Sequence, residues 1–124
     1  MLNGVLDNFK ASIYRRGVLF EHLVFSQLYH EDKARLKGAR IANYRTEHNA
    51  EVDFIIEFPD GRVVALECKA SKNVGKSDLT GLASFASYYG KPHRKIVIYG
   101  GERAKQIDDV EILPFRGGAS TIFE

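Results

Sequence analysis

Two strand-like segments joined by a tight turn are the feature that most restricts how this chain can fold. The first segment, Val52 to Phe58, is rich in Val, Ile and Phe, and the second runs from Arg62 to Ala70. Between them lies Pro59–Gly61, a Pro-Asp-Gly sequence that is typical of a reverse turn. Because the connection is too short for a parallel crossover, the pair is predicted to be an antiparallel β-hairpin.

A helix is predicted before the hairpin and another after it. From Gly17 to about His30 the apolar residues recur at helical spacing and form one stripe. The second predicted helix has Ser77 as its N-cap and Gly90 as its C-terminal stop, with Pro92 just beyond. The members of the first stripe are Leu19, Phe20, Leu23, Val24 and Leu28.

Further strands complete the predicted topology. They are Arg40 to Tyr44, Lys95 to Tyr99, and Val110 to Leu113, the last as an edge strand closed by Pro114. The order is αβββαβ with one added strand, which predicts an α/β (α+β) domain with a mixed sheet flanked by helices. The helix between the third and fourth strands favours a parallel crossover. We expect one domain over residues 17–124, preceded by an N-terminal extension over residues 1–16.

Length and composition fit one domain with a modest core. The 124 residues carry a formal net charge of +2 and one cysteine, Cys68, so an internal disulfide is impossible and a cytoplasmic location is expected. No apolar run approaches the ~20 residues that cross a bilayer, and no secretory signal is evident, so no membrane partner is expected. The small net charge is compatible with nucleic-acid binding but does not predict it.

Glu67 and Lys69 are the charged residues in the second half of the second hairpin strand. Because side chains alternate along a strand, these two share one face, while Leu66 and Cys68 point to the presumed core. Residue numbers that pair across this hairpin should sum to about 120, which places Asp53 beside Glu67. Two facing carboxylates repel, and a cation between them relieves the repulsion. Their oxygens suit Mg²⁺ or Mn²⁺.

Glu21 supplies a third carboxylate, at the rim of the predicted helical stripe, from where it could reach a metal site on the sheet. In the mechanism that follows, Asp53 and Glu67 hold the metal, with the Cys68 backbone carbonyl as a further ligand. Glu21 supports a second metal or a metal-bound water. The metal lowers the pKa of its water, and Lys69 orients that water and balances charge on the transition state. The expected products carry 5′-phosphate and 3′-hydroxyl ends.

Each of these residues also has a simpler interpretation, and taken singly the simpler one is the more frequent. Glu67 and Lys69 would form a surface ion pair worth less than ~1 kcal/mol. Asp53 could cap a backbone amide at the start of its strand, and Glu21 could be solvated. The combination of all of them, in a D-x(13)-E-x-K spacing across a hairpin, is what favours the metal site.

Several short motifs follow one another in a specific order, and together they resemble the PD-(D/E)XK nuclease superfamily. The likeness covers roughly residues 17–114 and is closest to the domain of unknown function at the C-terminus of many bacterial and archaeal AAA-type ATPases. The site layout is also similar to that of archaeal Holliday-junction resolvases, which are dimers that bind four-way DNA junctions. The motifs are Gly17-Val18-Leu19-Phe20-Glu21, Tyr44-Arg45-Thr46, Glu51-Val52-Asp53-Phe54, Glu67-Cys68-Lys69-Ala70-Ser71, Asp78-Leu79 and Gly81-Leu82.

This resemblance implies a restriction-endonuclease-like core and a Mg²⁺- or Mn²⁺-dependent endonuclease that hydrolyses DNA, with structured DNA among its substrates. It implies catalytic roles for Glu21, Asp53, Glu67 and Lys69. A homodimer is expected, because so small a surface holds little DNA alone, and an AAA-type ATPase is a further expected partner. The chain contains no G-x-x-x-x-G-K-[ST] loop, so it departs from the ATPase family there. A catalytically silent module that binds DNA or an ATPase is therefore the alternative, and a plain structural module is the third.

Three further residues are predicted to contact the phosphate backbone, because they flank the proposed site in the sequence. They are Arg45, His48 and Lys72, and for each of them surface solvation is the competing interpretation. Nothing in the sequence identifies a group that reads the 2′-hydroxyl, so DNA and RNA are not distinguished at this stage.

Overall fold

The structure, a computed structural model, describes the backbone of residues 2–124 and the side chains of residues 17–124. Six strands in the described part form one sheet, in the order β1-β2-β3-β4-β6-β5. The elements along the chain are helix α1 (Leu2–Arg35), strands β1 (Arg40–Arg45), β2 (Glu51–Glu57) and β3 (Val63–Lys69), a 3₁₀ turn (Lys76–Leu79), helix α2 (Thr80–Tyr89), strands β4 (Arg94–Tyr99), β5 (Lys105–Ile107) and β6 (Val110–Pro114), and helix α3 (Phe115–Ile122).

The central hairpin forms as predicted. Strands β2 and β3 are antiparallel, and Phe54 lies opposite Leu66, so that paired residue numbers sum to 120. The turn between them is closed by a hydrogen bond of 2.9 Å from the Phe58 amide to the Arg62 carbonyl. Gly61 has φ +93°, a left-handed conformation that glycine adopts without steric cost. The turn residues therefore fix the register of the two strands that carry the candidate site.

The mixed character of the sheet is confirmed as well. Strand β4 lies parallel to β3, as predicted from the helix between them, and β6 is parallel to β4. Helices α1 and α3 cover one face of the sheet and helix α2 covers the other, so the central strands are buried on both faces. The carboxyl ends of β3, β4 and β6 consequently meet at one edge of the sheet.

The buried face of α1 differs from the predicted stripe. Val24 and Leu28 are fully buried, whereas Leu19 is 58% and Leu23 is 46% exposed. The predicted stripe was too broad: Phe20 also packs against the core, whereas Leu19 and Leu23 lie outside it, and α3 shares this face of the sheet with α1. Helix α1 begins at Leu2, and the side chains of the predicted extension, residues 1–16, lie outside the described part.

Helix α2 begins differently from the prediction. Ser77 is not its N-cap, because the chain enters through a 3₁₀ turn capped at Gly75, whose amide donates to Asp78 Oδ2 at 2.8 Å. Gly90 ends the helix as predicted, with φ +70° and its amide donating to the Ala86 carbonyl at 3.0 Å.

The last third of the chain also departs from the prediction. Strand β6 is not an edge strand, because the short strand β5 pairs with it on the outside. Helix α3 had no sequence signal: its backbone is kinked at Arg116 and Gly117, which are not helical, and the two glycines at 117 and 118 disfavour helix. None of the described helices is long and apolar enough to cross a membrane.

Candidate functional site

The hairpin strands part from one another at the position of the predicted carboxylates. Regular pairing between β2 and β3 ends at Phe54 and Leu66. Asp53 and Glu67 come next in the same register, while β3 goes on pairing with β4 as far as Lys69. The sheet therefore opens into a fork between β2 and β3, and the two carboxylates stand in it.

The side chains of Asp53 and Glu67 replace the missing backbone contacts of the fork. Glu67 Oε1 accepts the backbone amide of Asp53 at 2.8 Å. Asp53 Oδ2 accepts the backbone amide of Cys68, also at 2.8 Å. Each carboxylate is thus tied to the main chain of the opposite strand, which fixes its position far better than solvent contacts would.

A bulge in β2 aims Asp53 into this fork. Between Val52 and Ile55 strand β2 advances by three residues while its partner β1 advances by two. As a result Val52 packs in the core on the α2 side and Phe54 packs on the α1 side, although residues two apart in a regular strand share a face. Bulges of this kind redirect single side chains, and here the extra residue is at or beside Asp53.

The fork opens on a solvent-facing hollow between the sheet and the middle of α1. Its volume is about 450 Å³. Four of the lining side chains are acidic, and they come from α1, β2 and β3. The lining residues are Gly17, Val18, Glu21, Glu51, Asp53, Glu67 and Cys68.

Burial and mutual repulsion oppose full ionisation of these acids. Burial, followed by the charge of Asp53, raises the pKa of Glu67 to about 8. Burial also raises the pKa of Asp53. The pKa of Glu21 is raised by burial and then by the charges of Asp53 and Glu51. A site that holds protons against its own negative charge is one that a bound cation would stabilise.

The donors in the fork are oxygens, which fits Mg²⁺ or Mn²⁺. A strand residue directs its N–H and C=O to the same side. Because the amide of Cys68 points at Asp53, the Cys68 carbonyl is directed into the fork as well. Among the described side chains, however, no group of three or more His, Cys, Asp or Glu lies close enough to hold a metal ion. Glu21 lines the hollow without joining the Asp53–Glu67 pair.

Lys69 lies on β3 two residues beyond Glu67, and its ammonium is ion-paired with Asp78. Asp78 is fixed in turn, since its other oxygen accepts the Gly75 amide at 2.8 Å. The side chain of Lys69 is 32% exposed. The ammonium is therefore held toward the 3₁₀ turn, and Lys69 does not line the acidic hollow.

A protein-family model, described as a domain of unknown function (DUF4143), matches residues 16–117. The match covers most of the chain. This chain belongs to the DUF4143 family. No curated protein and no solved structure matches the chain. The family description names no activity, so the chemistry of this DUF4143 domain has to be argued from its site.

The other residues of this DUF4143 domain that were predicted to contact phosphate do not line the acidic hollow. Arg45 pairs with Glu51 at 2.9 Å, and both side chains are well exposed. His48 is exposed in the turn between β1 and β2, and Lys72 is exposed in the loop after β3. Cys68 packs against the core on the α1 side, and burial raises the pKa of its thiol, as suits a space-filling group.

Two residues of this site stand in the sequence motifs, but no role in the site was predicted for them. Glu51 lines the hollow and raises the pKa of both central carboxyls. The sequence feature that could have indicated a role for Glu51 is its position two residues before Asp53 on the same strand. Asp78 binds the Lys69 ammonium across a separation of nine residues, and no local pattern indicates such a contact.

Proposed function

We propose that this DUF4143 domain is a divalent-metal-dependent endonuclease that hydrolyses DNA phosphodiester bonds. The observation that carries the proposal is the forked carboxylate pair, in which Asp53 and Glu67 lie on adjacent strands and each accepts an amide of the other strand. Carboxylates fixed beside one another in a half-buried hollow are arranged for a cation rather than for solvent.

The topology supports the same proposal. A helix, an antiparallel three-strand unit, a second helix and a strand parallel to β3 follow in the order that the PD-(D/E)XK resemblance implies. In that arrangement the site residues come from α1, β2 and β3, and they do so here. We therefore assign the domain to a PD-(D/E)XK-type core as part of the proposal.

Each residue of the site has its own role in the proposed reaction. Asp53, Glu67 and the Cys68 carbonyl would hold Mg²⁺ or Mn²⁺, which when bound supplies an acidic water and polarises the phosphate. Glu21, across the hollow, accepts a hydrogen bond from water and orients it. Lys69 balances the negative charge of the scissile phosphate once its ammonium exchanges Asp78 for the phosphate.

Nicking of supercoiled plasmid in the presence of Mg²⁺, Mn²⁺ or Ca²⁺ tests the proposal. We expect nicking with Mg²⁺ or Mn²⁺, little with Ca²⁺, and a loss of at least about 100-fold in Asp53→Asn and Glu67→Gln, because each removes a charged ligand. Glu47→Gln, an exposed acid in the β1–β2 turn, is the matched control and should nick like the wild type. Failure to cut duplex, single-stranded and junction DNA under all three ions would refute the nuclease.

A catalytically silent module is the second candidate, and it also has a specific observation in its favour. Only two carboxylates converge among the described side chains, and Lys69 is neutralised by Asp78. Such a domain would bind DNA or an AAA-type ATPase without turnover. Calorimetric Mn²⁺ binding that Glu67→Gln abolishes, in a protein that cuts no DNA, would favour this candidate. A homodimer is a prediction under either function.

A further inference from the structure

Among residues 17–124, the Lys and Arg side chains without an ion-pair partner are not spread evenly. Those on the β1–β2 side of the domain are mostly paired with acids. One group of unpaired cations lies where β3, β4 and β6 end: Lys72, Lys76, Arg103, Lys105 and Arg116. The remaining unpaired ones, Lys33, Lys37 and Lys91, lie elsewhere on the surface.

The topology explains this grouping. Strands β3, β4 and β6 are parallel, so the segments that follow them meet at one edge of the sheet. Strand β5 runs antiparallel to β6, and its first residue, Lys105, follows the loop at that edge. The edge from β3 to β5 spans three interstrand steps of about 4.8 Å, or roughly 14 Å, a length comparable with a few nucleotides of one strand.

Two neighbouring hollows lie along this edge, and together we call them the basic trough. One part, of about 270 Å³, is lined by Lys72, Arg103 and Lys105. The adjoining part, of about 560 Å³, is lined by Arg116. The two parts share Tyr99, Gly101 and Glu102, and Glu102 is the single acid in either lining.

The loops that present these cations are fixed to one another. Gly100 donates its amide to the Ser71 carbonyl at 3.0 Å, and the two loops pack so closely that a Cβ on Gly100 would lie 2.1 Å from the Ala70 carbonyl oxygen. The buried Tyr99 phenol donates to the Arg103 carbonyl at 2.5 Å. The backbone of the loops after β3 and β4 is therefore fixed, so the positions from which Lys72 and Arg103 extend are part of the folded surface.

The trough and the candidate active site lie at the same end of strand β3. Strand β3 carries Glu67 and ends at Lys69, and Lys72 follows in the next turn of chain. We infer that the basic trough binds the phosphate backbone of a nucleic-acid strand and leads that strand to Asp53 and Glu67. A linear row of cations with one acid fits a polyanion of regular spacing. The inference deepens the proposed nuclease function, on which its direction toward the carboxylates rests.

Fluorescence anisotropy with labelled duplex and single-stranded oligonucleotides, in EDTA and at several salt concentrations, tests the trough without requiring turnover. The test variant is Lys72→Ala/Arg103→Ala/Lys105→Ala. We expect at least about 10-fold weaker binding in this variant. For duplex, the slope of the logarithm of the binding constant against the logarithm of the salt concentration should be smaller by up to about 2.7, since each phosphate contact contributes about 0.9.

The matched control removes three unpaired charges elsewhere, as Lys33→Ala/Lys37→Ala/Lys91→Ala, and should bind within about two-fold of the wild type. Equal loss in both triple variants, or no loss in the trough variant, would overturn the inference. So would wild-type binding to anionic vesicles or polyglutamate without binding to oligonucleotides. Should the trough variant fail to fold by circular dichroism, Lys72→Gln and Arg116→Gln, tested singly, should each lower the slope by about one.

These outcomes separate the trough from the active site. If oligonucleotide binding in EDTA depends on the trough but the protein never cuts DNA, the inference about the trough stands and the proposed nuclease function is refuted. If the trough variant binds oligonucleotides as the wild type does and still nicks DNA with metal, the nuclease function stands and the inference about the trough is refuted.

Discussion

Asp53 and Glu67 are each bound to the main chain of the other's strand, Glu67 through the Asp53 amide and Asp53 through the amide of Cys68. Neither carboxylate can withdraw without leaving a backbone donor unsatisfied. The pair therefore stays together whether or not a cation is present, and its charge has to be neutralised by a proton when no cation is bound. The protonation of the pair can therefore be measured through the pH dependence of the free energy of unfolding.

Stability without divalent ions should fall as the pH rises from about 4.5 toward 8. The folded-state pKa of Glu67 is raised from 4.5 to about 8, so in this window the folded state keeps a proton that the unfolded state has lost. The slope from this group is at most about 1.4 kcal/mol per pH unit. Urea unfolding in EDTA from pH 5 to 9 measures it.

The fall in stability with rising pH should be largely lost in Glu67→Gln, because the glutamine side chain is neutral at every pH. Glu47→Gln is the control, because Glu47 is exposed in a turn and its removal should leave the slope intact. Equal slopes in wild type and Glu67→Gln would show that the pair ionises freely.

Replacing Asp78 with Asn should release Lys69 without unfolding the 3₁₀ turn, since the amide oxygen of Asn can still accept the Gly75 amide. A partly exposed pair of this kind is worth less than ~1 kcal/mol, so we expect a small stability change and, in a nuclease, up to about 5-fold faster nicking. Lys69→Ala should lose at least about 100-fold. Initial nicking rates with Mn²⁺ are the measurement. An Asp78→Asn variant as inactive as Lys69→Ala would mean that Asp78 positions the ammonium for the reaction.

What the sequence predicted well was local. The Pro59–Gly61 turn fixes a register, and that register alone placed Asp53 opposite Glu67. Gly90 marked the end of α2 because a left-handed residue there favours glycine. Both predictions depend on neighbours within a few residues, where turn chemistry and helix caps act directly.

What the sequence did not predict depends on distant contacts. The bulge that redirects Asp53 arises from pairing with β1. The partner of Lys69 is set by where the 3₁₀ turn packs, and the exposure of Leu19 depends on how α1 lies on the sheet. Apolar periodicity records that a helix has a buried side, but the width of that side depends on the elements that share its face of the sheet.

Gly81 is required by close packing beneath the site. An added Cβ would lie 1.9 Å from the carbonyl oxygen of Glu51, so α2 would have to move away from β2. We expect Gly81→Ala to destabilise the fold by about 1–3 kcal/mol and to weaken Mn²⁺ binding, because Asp53 follows Glu51 in the displaced strand. Gly17→Ala is the control for stability alone, since nothing lies within 4 Å of its added Cβ but Gly17 lines the hollow. In the helix it should stabilise by up to about 1 kcal/mol. Urea unfolding and calorimetry measure the two effects.

Leu28→Ala and Leu23→Ala test which side of α1 carries the fold. Leu28 is fully buried against the sheet, so its truncation should cost about 2–5 kcal/mol. Leu23 lies on the same helix but is 46% exposed, and its truncation should cost less than about 1 kcal/mol. Urea unfolding of the two variants at one pH gives the comparison directly. A large loss of stability in Leu23→Ala that depends on protein concentration would show that a second copy of the chain covers this side of α1. A large loss that is independent of concentration would contradict the packing described here, because Leu23 would then be buried within the domain itself.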